Sequence, residues 1–441
     1  MALQHRPAHQ LAAHHVHGQG QAVHLHHGQL GRLLLRAPRG RESGEVMKKI
    51  ARPSVILLAF TLATAHAQAQ ARYQITDEDA NGPGSPRVVV LHDNTAKAEA
   101  AVAPSQGGEL SSYKITFQGK PLELLYHARD YTSPGFQGKA PLLWPAAGVQ
   151  YPVGTIPKES CGNGTYPVAG KTFPMPCHGF ARTLPWKEIS RSADAQGARV
   201  TVELTDSDKT RLDYPFGFKV DLTYELSGGL LTLNYTISAD AENKGPMPFS
   251  IGNHIAFRVP LVEGSDPAAM TFESPNTTQL MRYPGGVGLN GEEKPSSYAI
   301  PQRMGDFDAH IALPLSGYRS MPYARLVDPA GLSVRITQTA SIDPTNTELA
   351  IPNLSGQLIR FNVYGGPHEG YLSPEPWFGL INSLNSRKGF IDLAPGGSWR
   401  WRIQVAPLAP LRPCRRPAPG SSASAVTSAT SKAPSGARTA A

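Results

Sequence analysis

The chain has 441 residues, of which 40% are hydrophobic and 17% charged, with a formal net charge of +8 and 3 cysteines. The charge is uneven: residues 1–46 hold five basic and two acidic residues, residues 47–71 three basic and residues 409–441 five basic, which leaves −3 on residues 72–408. A body of that charge has no electrostatic basis for binding nucleic acid, and the lack of C-x-x-C, H-E-x-x-H and P-loop patterns removes the common zinc and phosphate signatures.

Along the chain, residues 1–46 carry 8 of the 15 histidines with almost no pattern. They could be read as a His-rich metal-binding tail, but no spaced cysteines or acidic partners accompany them. At Met47 a short basic start (Lys48, Lys49, Arg52) leads into an apolar run from Val55 to about Ala63, then into the small-residue sites Ala65-His66-Ala67 and Ala67-Gln68-Ala69. This is the pattern of a secretory signal peptide and is short for a membrane span. Signal peptides begin proteins, so residues 1–46 are read as an assigned start upstream of the true one. Residues 47–71 are read as the signal, and the mature protein is expected in the periplasm or outside the cell, free of the membrane after cleavage.

From residue 72 to 408 the dominant signal is period two. Residues 198–204, 219–226, 230–238, 332–338 and 399–405 each alternate apolar and polar side chains. Ser227-Gly228-Gly229 joins two of them as a hairpin. No sustained helical period and no internal repeat occurs. The expectation is an all-β domain, a large antiparallel β-sandwich with few short helices. Cys161 and Cys177, 16 positions apart in an exported chain, are candidates for a disulfide. Residues 409–441, rich in Pro, Ser and Ala and holding Cys414, are expected to be disordered.

Three segments place a proton-active residue in unusual company. "MPCHGFARTLPW" (175–186) sets His178 before Gly179 and four positions before Arg182; taken alone, it is a loop histidine. "PFSIGNHIAFRVP" (248–260) puts His254 at the end of an apolar strand; taken alone, it is a core histidine bonded to backbone. "SPEPWFGLINSLN" (373–385) sets Glu375 between two prolines and beside Trp377 and Phe378. Taken alone, Glu375 is a solvent-facing turn residue; in an apolar site its pKa would rise toward neutrality, where a carboxylate serves as a general base. Aromatics beside hydrogen-bonding groups also suit a pyranose, which has an apolar C–H face and a rim of hydroxyls.

Together these segments resemble those of aldose 1-epimerases, the galactose mutarotase-like proteins. "HGFAR" is similar to the first histidine segment, the stretch from "YPFGFKVDLTYEL" to "MPFSIGNHIAF" to the central signature, and "SPEPWFGLINSLN" to the glutamate segment. The resemblance runs from about residue 83 to 406. It implies an isomerase that interconverts the α and β anomers of a free hexose, with no metal and no cofactor and with a monosaccharide as its partner. It implies Glu375 as general base on the C1 hydroxyl, His254 as general acid on the ring oxygen, and His178 as a hydrogen-bonding group able to share the acid role. Arg182 and Asp306 would contact substrate oxygens, with Asp308 as the rival acid, and Trp377 is read as a further substrate contact. The chain departs from the family at "PLLWPAAGV", where Val149 stands at an expected arginine; Trp144 in this stretch is read as core. The loss of a cation argues against a phosphorylated sugar and leaves room for a carbohydrate-binding protein with little turnover; a hexose-6-phosphate 1-epimerase is the weaker third reading. Oligomeric state is not legible.

Overall fold

In the computed structural model residues 71–408 are described, apart from residues 135, 158–160, 307–311, 344–345 and 351–357 and the side chains of 342–350. The expectations for residues 1–46, the signal, the tail after 408 and Asp308 lie outside the described residues. The described chain is built of strands, with α-helix confined to Asp208–Asp213 and Ser383–Ser386 and a few single 3₁₀ turns. All five alternating segments are strands: Ala198–Thr205, Phe218–Ser227, Leu230–Ala239, Ser333–Asp343 and Ser398–Leu408. In Phe218–Ser227 the residues Phe218, Val220, Leu222, Tyr224 and Leu226 are buried while those between them are not. The alternation therefore sets one face against a core. The hairpin to Leu230–Ala239 turns on Gly228 and Gly229, both at positive φ (60° and 76°), as a two-residue turn between right-twisted strands requires.

The strands form antiparallel sheets. Tyr73–Asp79 to Lys120–Glu123 make a five-stranded meander. A ten-stranded sheet has Leu230–Ala239 at its centre, paired with Phe218–Ser227 on one side and the last strand, Ser398–Leu408, on the other. An eight-stranded sheet lies against its apolar face. Trp399 of the larger sheet meets Phe378 of the smaller at 5.0 Å between ring centroids, and Asn253 Nδ2 donates to Tyr235 Oη at 3.0 Å across the same layer. The meander is tied to the ten-stranded sheet by Tyr224 Oη, which donates to the Gly108 carbonyl at 2.8 Å. This is a sandwich, with one core of aromatic and branched side chains between its layers. Among the described residues no helix is long and apolar enough to cross a membrane.

One close approach carries the core into the site. Trp144 is fully buried among Phe180, Tyr214, Phe218 and Phe249, so it is core. Its carbonyl accepts from the N–H groups of Phe180 and Ala181 at 3.1 and 3.2 Å. Those bonds pull Gly179 so close that a Cβ there would lie 2.1 Å from the Trp144 oxygen, and Gly179 has φ +71°. Neighbouring His178 is itself left-handed, at φ +65°. The His-Gly step is thus a clamp that holds an imidazole beside the core. Gly179→Ala should lower stability by about 2–4 kcal/mol, read as a lower urea midpoint at unchanged m; a wild-type midpoint would show that the clamp is not as drawn.

Candidate active site

Glu375 lies on the strand Tyr371–Phe378 of the eight-stranded sheet. One edge of this strand pairs along its whole length with Ile359–Gly366. On the other edge, Ile251–Asn253 pairs only with residues 377–378 and Phe257–Arg258 only with 371–372. Residues 373–376 face no ladder partner on that side. Pro374 and Pro376 fall in this interval, where a missing N–H costs no bond to a second neighbour. The gap is spanned by His254, Ile255 and Ala256. Prolines that look like a turn in the sequence thus mark the break in a sheet where the histidine enters.

Period two then aligns Ser373, Glu375 and Trp377 on one face of the strand. Ser373 Oγ donates to the Ile255 carbonyl at 2.7 Å and sits 2.9 Å from His254 Nδ1. With its one proton given to the carbonyl, the hydroxyl accepts from Nδ1–H. The neutral imidazole therefore keeps its lone pair on Nε2, which lies 3.5 Å from Glu375 Oε1. Glu375 Oε2 accepts from the Trp377 indole N–H at 3.0 Å, and Oε1 from Asn362, its cross-strand partner, at 3.4 Å. His178 is held from two directions: its N–H donates to the Gly148 carbonyl at 3.0 Å, and its Nδ1 accepts from the Gly148 N–H at 3.0 Å. Its proton is thereby on Nε2, leaving it a neutral donor.

These groups share one cavity of about 440 Å³, lined by Glu375, His254, His178, Arg182 and Trp377 among others. Phe136 stands over His254, with ring centroids 5.0 Å apart. Glu375 is 1% and His254 9% exposed. Burial pushes the Glu375 carboxyl up to about 8, against the opposing pull of the Trp377 and Asn362 hydrogen bonds and the Arg282 charge. Burial pushes the His254 imidazole down to about 4, helped by the Arg182 charge, and holds His178 well below its ordinary value. Between about 4 and about 8 the Glu375–His254 pair holds one proton, the composition that acid–base chemistry needs.

The structure brings five of the six residues singled out in the sequence to this cavity. The sixth, Asp306, is corrected. It is exposed at the end of the turn Met304–Asp306 and does not line the cavity. Met304 is buried and its N–H bonds the Met270 carbonyl at 2.8 Å, which anchors the turn and leaves the acid facing solvent. Val149 lines the cavity in an apolar patch with Leu143, Ala147, Trp377 and Ile381. The same cavity contains a cation that sequence reasoning missed: Arg282, whose Nη1 donates to the Val287 carbonyl at 2.9 Å and whose Nε has no hydrogen-bond partner among the described residues. Asn362, Ser373, Tyr364 and Phe136 were missed too. For Ser373 the period-two step from Glu375 was an available signal; Asn362 depends on a strand register that no local pattern reveals.

Cys161 and Cys177 are joined in a disulfide, their Cα atoms 5.1 Å apart. Cys161 lines the cavity and Cys177 precedes His178, so the bridge closes one wall of the site. The two sulfurs and His178 lie within 4.8 Å of one another, but sulfurs bonded to each other are not thiolate ligands for a metal.

The sequence profile of the aldose 1-epimerase family matches residues 88–290. A protein of Escherichia coli named putative glucose-6-phosphate 1-epimerase is 27% identical over 172 residues, 39% of this chain and 48% of its own length. Protein LacX of Lactococcus lactis is 23% identical over 215 residues, 47% of this chain and 64% of its own. The chain therefore spans about half the length of the curated relatives it matches. A galactose mutarotase-like protein from Clostridium acetobutylicum superposes with a TM-score of 0.58 at 19% identity, covering 77% of this chain and 99% of that one. Galactose 1-epimerase from Lactobacillus acidophilus gives 0.55 at 15% identity, covering 77% and 99%. These two likenesses are of fold. The likeness to the aldose 1-epimerase family is thus one of sequence over residues 88–290, and the likeness of fold continues through the Glu375 strand.

Proposed function

We propose that this protein is an exported aldose 1-epimerase that interconverts the anomers of a hexose by opening and closing its ring. The observation that carries the reading is the pair itself: Nε2 of His254 and Oε1 of Glu375 lie 3.5 Å apart, buried, at one cavity that also holds a fixed donor on His178. A site that only binds sugar has no use for a carboxyl raised toward 8 beside an imidazole lowered toward 4.

In the working form the pair is carboxylate and imidazolium. Glu375 takes the proton from the C1 hydroxyl while His254 gives one to the ring oxygen. The C1–O5 bond breaks and the aldehyde forms. The pair is then carboxylic acid and imidazole, the distribution that burial favours. The open chain is thus met by the pair in its preferred state. Rotation about C1–C2 and the reverse transfers close the ring on the other face, and no proton is gained or lost. His178 donates to a sugar oxygen, and Trp377 both holds Glu375 and walls the ring.

The hexose-6-phosphate reading has an observation in its favour. Val149 removed one expected cation, yet both Arg182 and Arg282 line the cavity. Comparing glucose with glucose 6-phosphate in the same polarimetric assay separates the two substrates.

Glu375→Gln and His254→Asn should each slow the approach of fresh α-glucose or α-galactose to equilibrium rotation by about 10²–10⁴-fold. An unchanged rate in either variant, or a wild type no faster than buffer, defeats the proposal. The pH profile of kcat/KM should be bell-shaped. Above about 8 the pair loses its only proton from Glu375; below about 4 His254 gains a second. Rates should therefore fall on both sides of that window, and a profile flat from pH 5 to 10 would contradict the assignment of the upper limb to Glu375.

A further inference from the structure

The side-chain amide of Asn362 is only half used. Asn362 lies on the strand Ile359–Gly366, directly opposite Glu375, and is 4% exposed. Its Nδ2 donates to Glu375 Oε1 at 3.4 Å. Its Oδ1 is buried and has no hydrogen-bond partner among the described residues. Turning the amide over would set Oδ1 against Oε1, one acceptor against another, so the bond to Glu375 fixes which end is left over. A buried acceptor without a donor is costly and rare.

Asparagine is also an unfavourable residue for a strand. Phe361 and Val363 on either side of it are buried in the core. Period two turns Asn362 and Tyr364 the other way, and both line the cavity that holds Glu375 and His254. The strand therefore presents to the cavity an acceptor that no protein group satisfies.

Glu375 locates the group that would satisfy it. Oε2 is held by the Trp377 indole, and Oε1 lies 3.5 Å from His254 Nε2. Oε1 is thus the carboxyl oxygen at the reacting centre, and Asn362 binds that same oxygen. In the epimerase reading the C1 hydroxyl gives its proton to Glu375. The substrate group that falls beside it is the hydroxyl on the adjoining carbon, C2, and a hydroxyl donates readily to an amide oxygen.

We propose that Asn362 is a further substrate-binding residue, whose Oδ1 accepts from the C2 hydroxyl while its Nδ2 holds Glu375 at C1. This rests on the epimerase reading and adds a requirement to it: the substrates are aldoses with a hydroxyl at C2. The contact also serves the step between ring opening and closure. With the C2 oxygen held, the aldehyde carbon turns about C1–C2 while the rest of the sugar stays in place. No bond to the C2 oxygen is formed or broken except the hydrogen bond itself.

The test sets glucose against 2-deoxyglucose in the polarimetric assay, each rate taken above its own rate in buffer, with wild type and Asn362→Leu. Wild-type kcat/KM should be about tenfold to a hundredfold higher for glucose, the range expected when a buried acceptor loses its donor. In Asn362→Leu the two sugars should agree within about threefold, whatever loss both share because Glu375 is less firmly held. Equal values for the two sugars in wild type, or a preference for glucose that survives the substitution, overturns the contact. Calorimetric titration of wild type decides even where the variant does not fold. Glucose should bind about tenfold more tightly than both 2-deoxyglucose and 2-deoxy-2-fluoroglucose, because fluorine cannot donate a hydrogen bond. A fluorinated sugar bound as tightly as glucose would mean that C2 faces a donor, and Oδ1 would be the wrong assignment. The same titrations separate this outcome from failure of the epimerase reading. Binding that depends on the C2 hydroxyl and on Asn362, without turnover of any sugar, supports the contact and defeats the epimerase. Turnover indifferent to C2 does the reverse, and neither binding nor turnover defeats both.

Discussion

The constraint on which the site depends is the burial of a single carboxyl group. A glutamate taken out of water resists ionisation unless something offsets the lost hydration. Here the offset is partial: an indole N–H, an amide and a nearby guanidinium act on Glu375, yet the group stays raised to about 8. A fully compensating ion pair would have made it an inert structural acid. The same dry surroundings act in the opposite sense on His254. One environment thus separates two ordinary side chains into a group that keeps its proton and a group that sheds it.

The fold supplies that environment by interrupting itself. A continuous sheet would have filled both edges of the Glu375 strand with ladder bonds. Instead, two short strands pair with its ends and leave the middle open, and His254 enters through the opening. Ser373, two residues before Glu375, then sets the histidine tautomer. Gly179 and the Trp144 carbonyl fix the loop that carries His178. The sandwich is more than a frame for loops, because the breaks in its hydrogen bonding locate the reacting groups.

This explains what was legible in the sequence and what was not. The alternating strands were legible because period two against one core is a local property; Phe218–Ser227 shows it residue by residue. Glu375, His254 and His178 were legible because each sits in local company that a plain strand or turn does not need, and because the three segments together resemble one family. Asp306 failed because an acid near a glycine carries no information about which way its turn faces, and buried Met304 decides that. Arg282 and Asn362 were invisible for a related reason: their place beside Glu375 is set by tertiary packing and cross-strand register. Counting cations from one departure, Val149, therefore undercounted the site.

The most direct measurement is a structure of the protein with an aldose bound at a pH within the one-proton window. The account predicts the sugar in the cavity beneath Phe136, with its C1 hydroxyl within hydrogen-bond reach of Glu375, its ring oxygen facing His254 Nε2, and a ring hydroxyl accepting from His178. A sugar bound in that cavity with its anomeric carbon turned away from both Glu375 and His254 would contradict it.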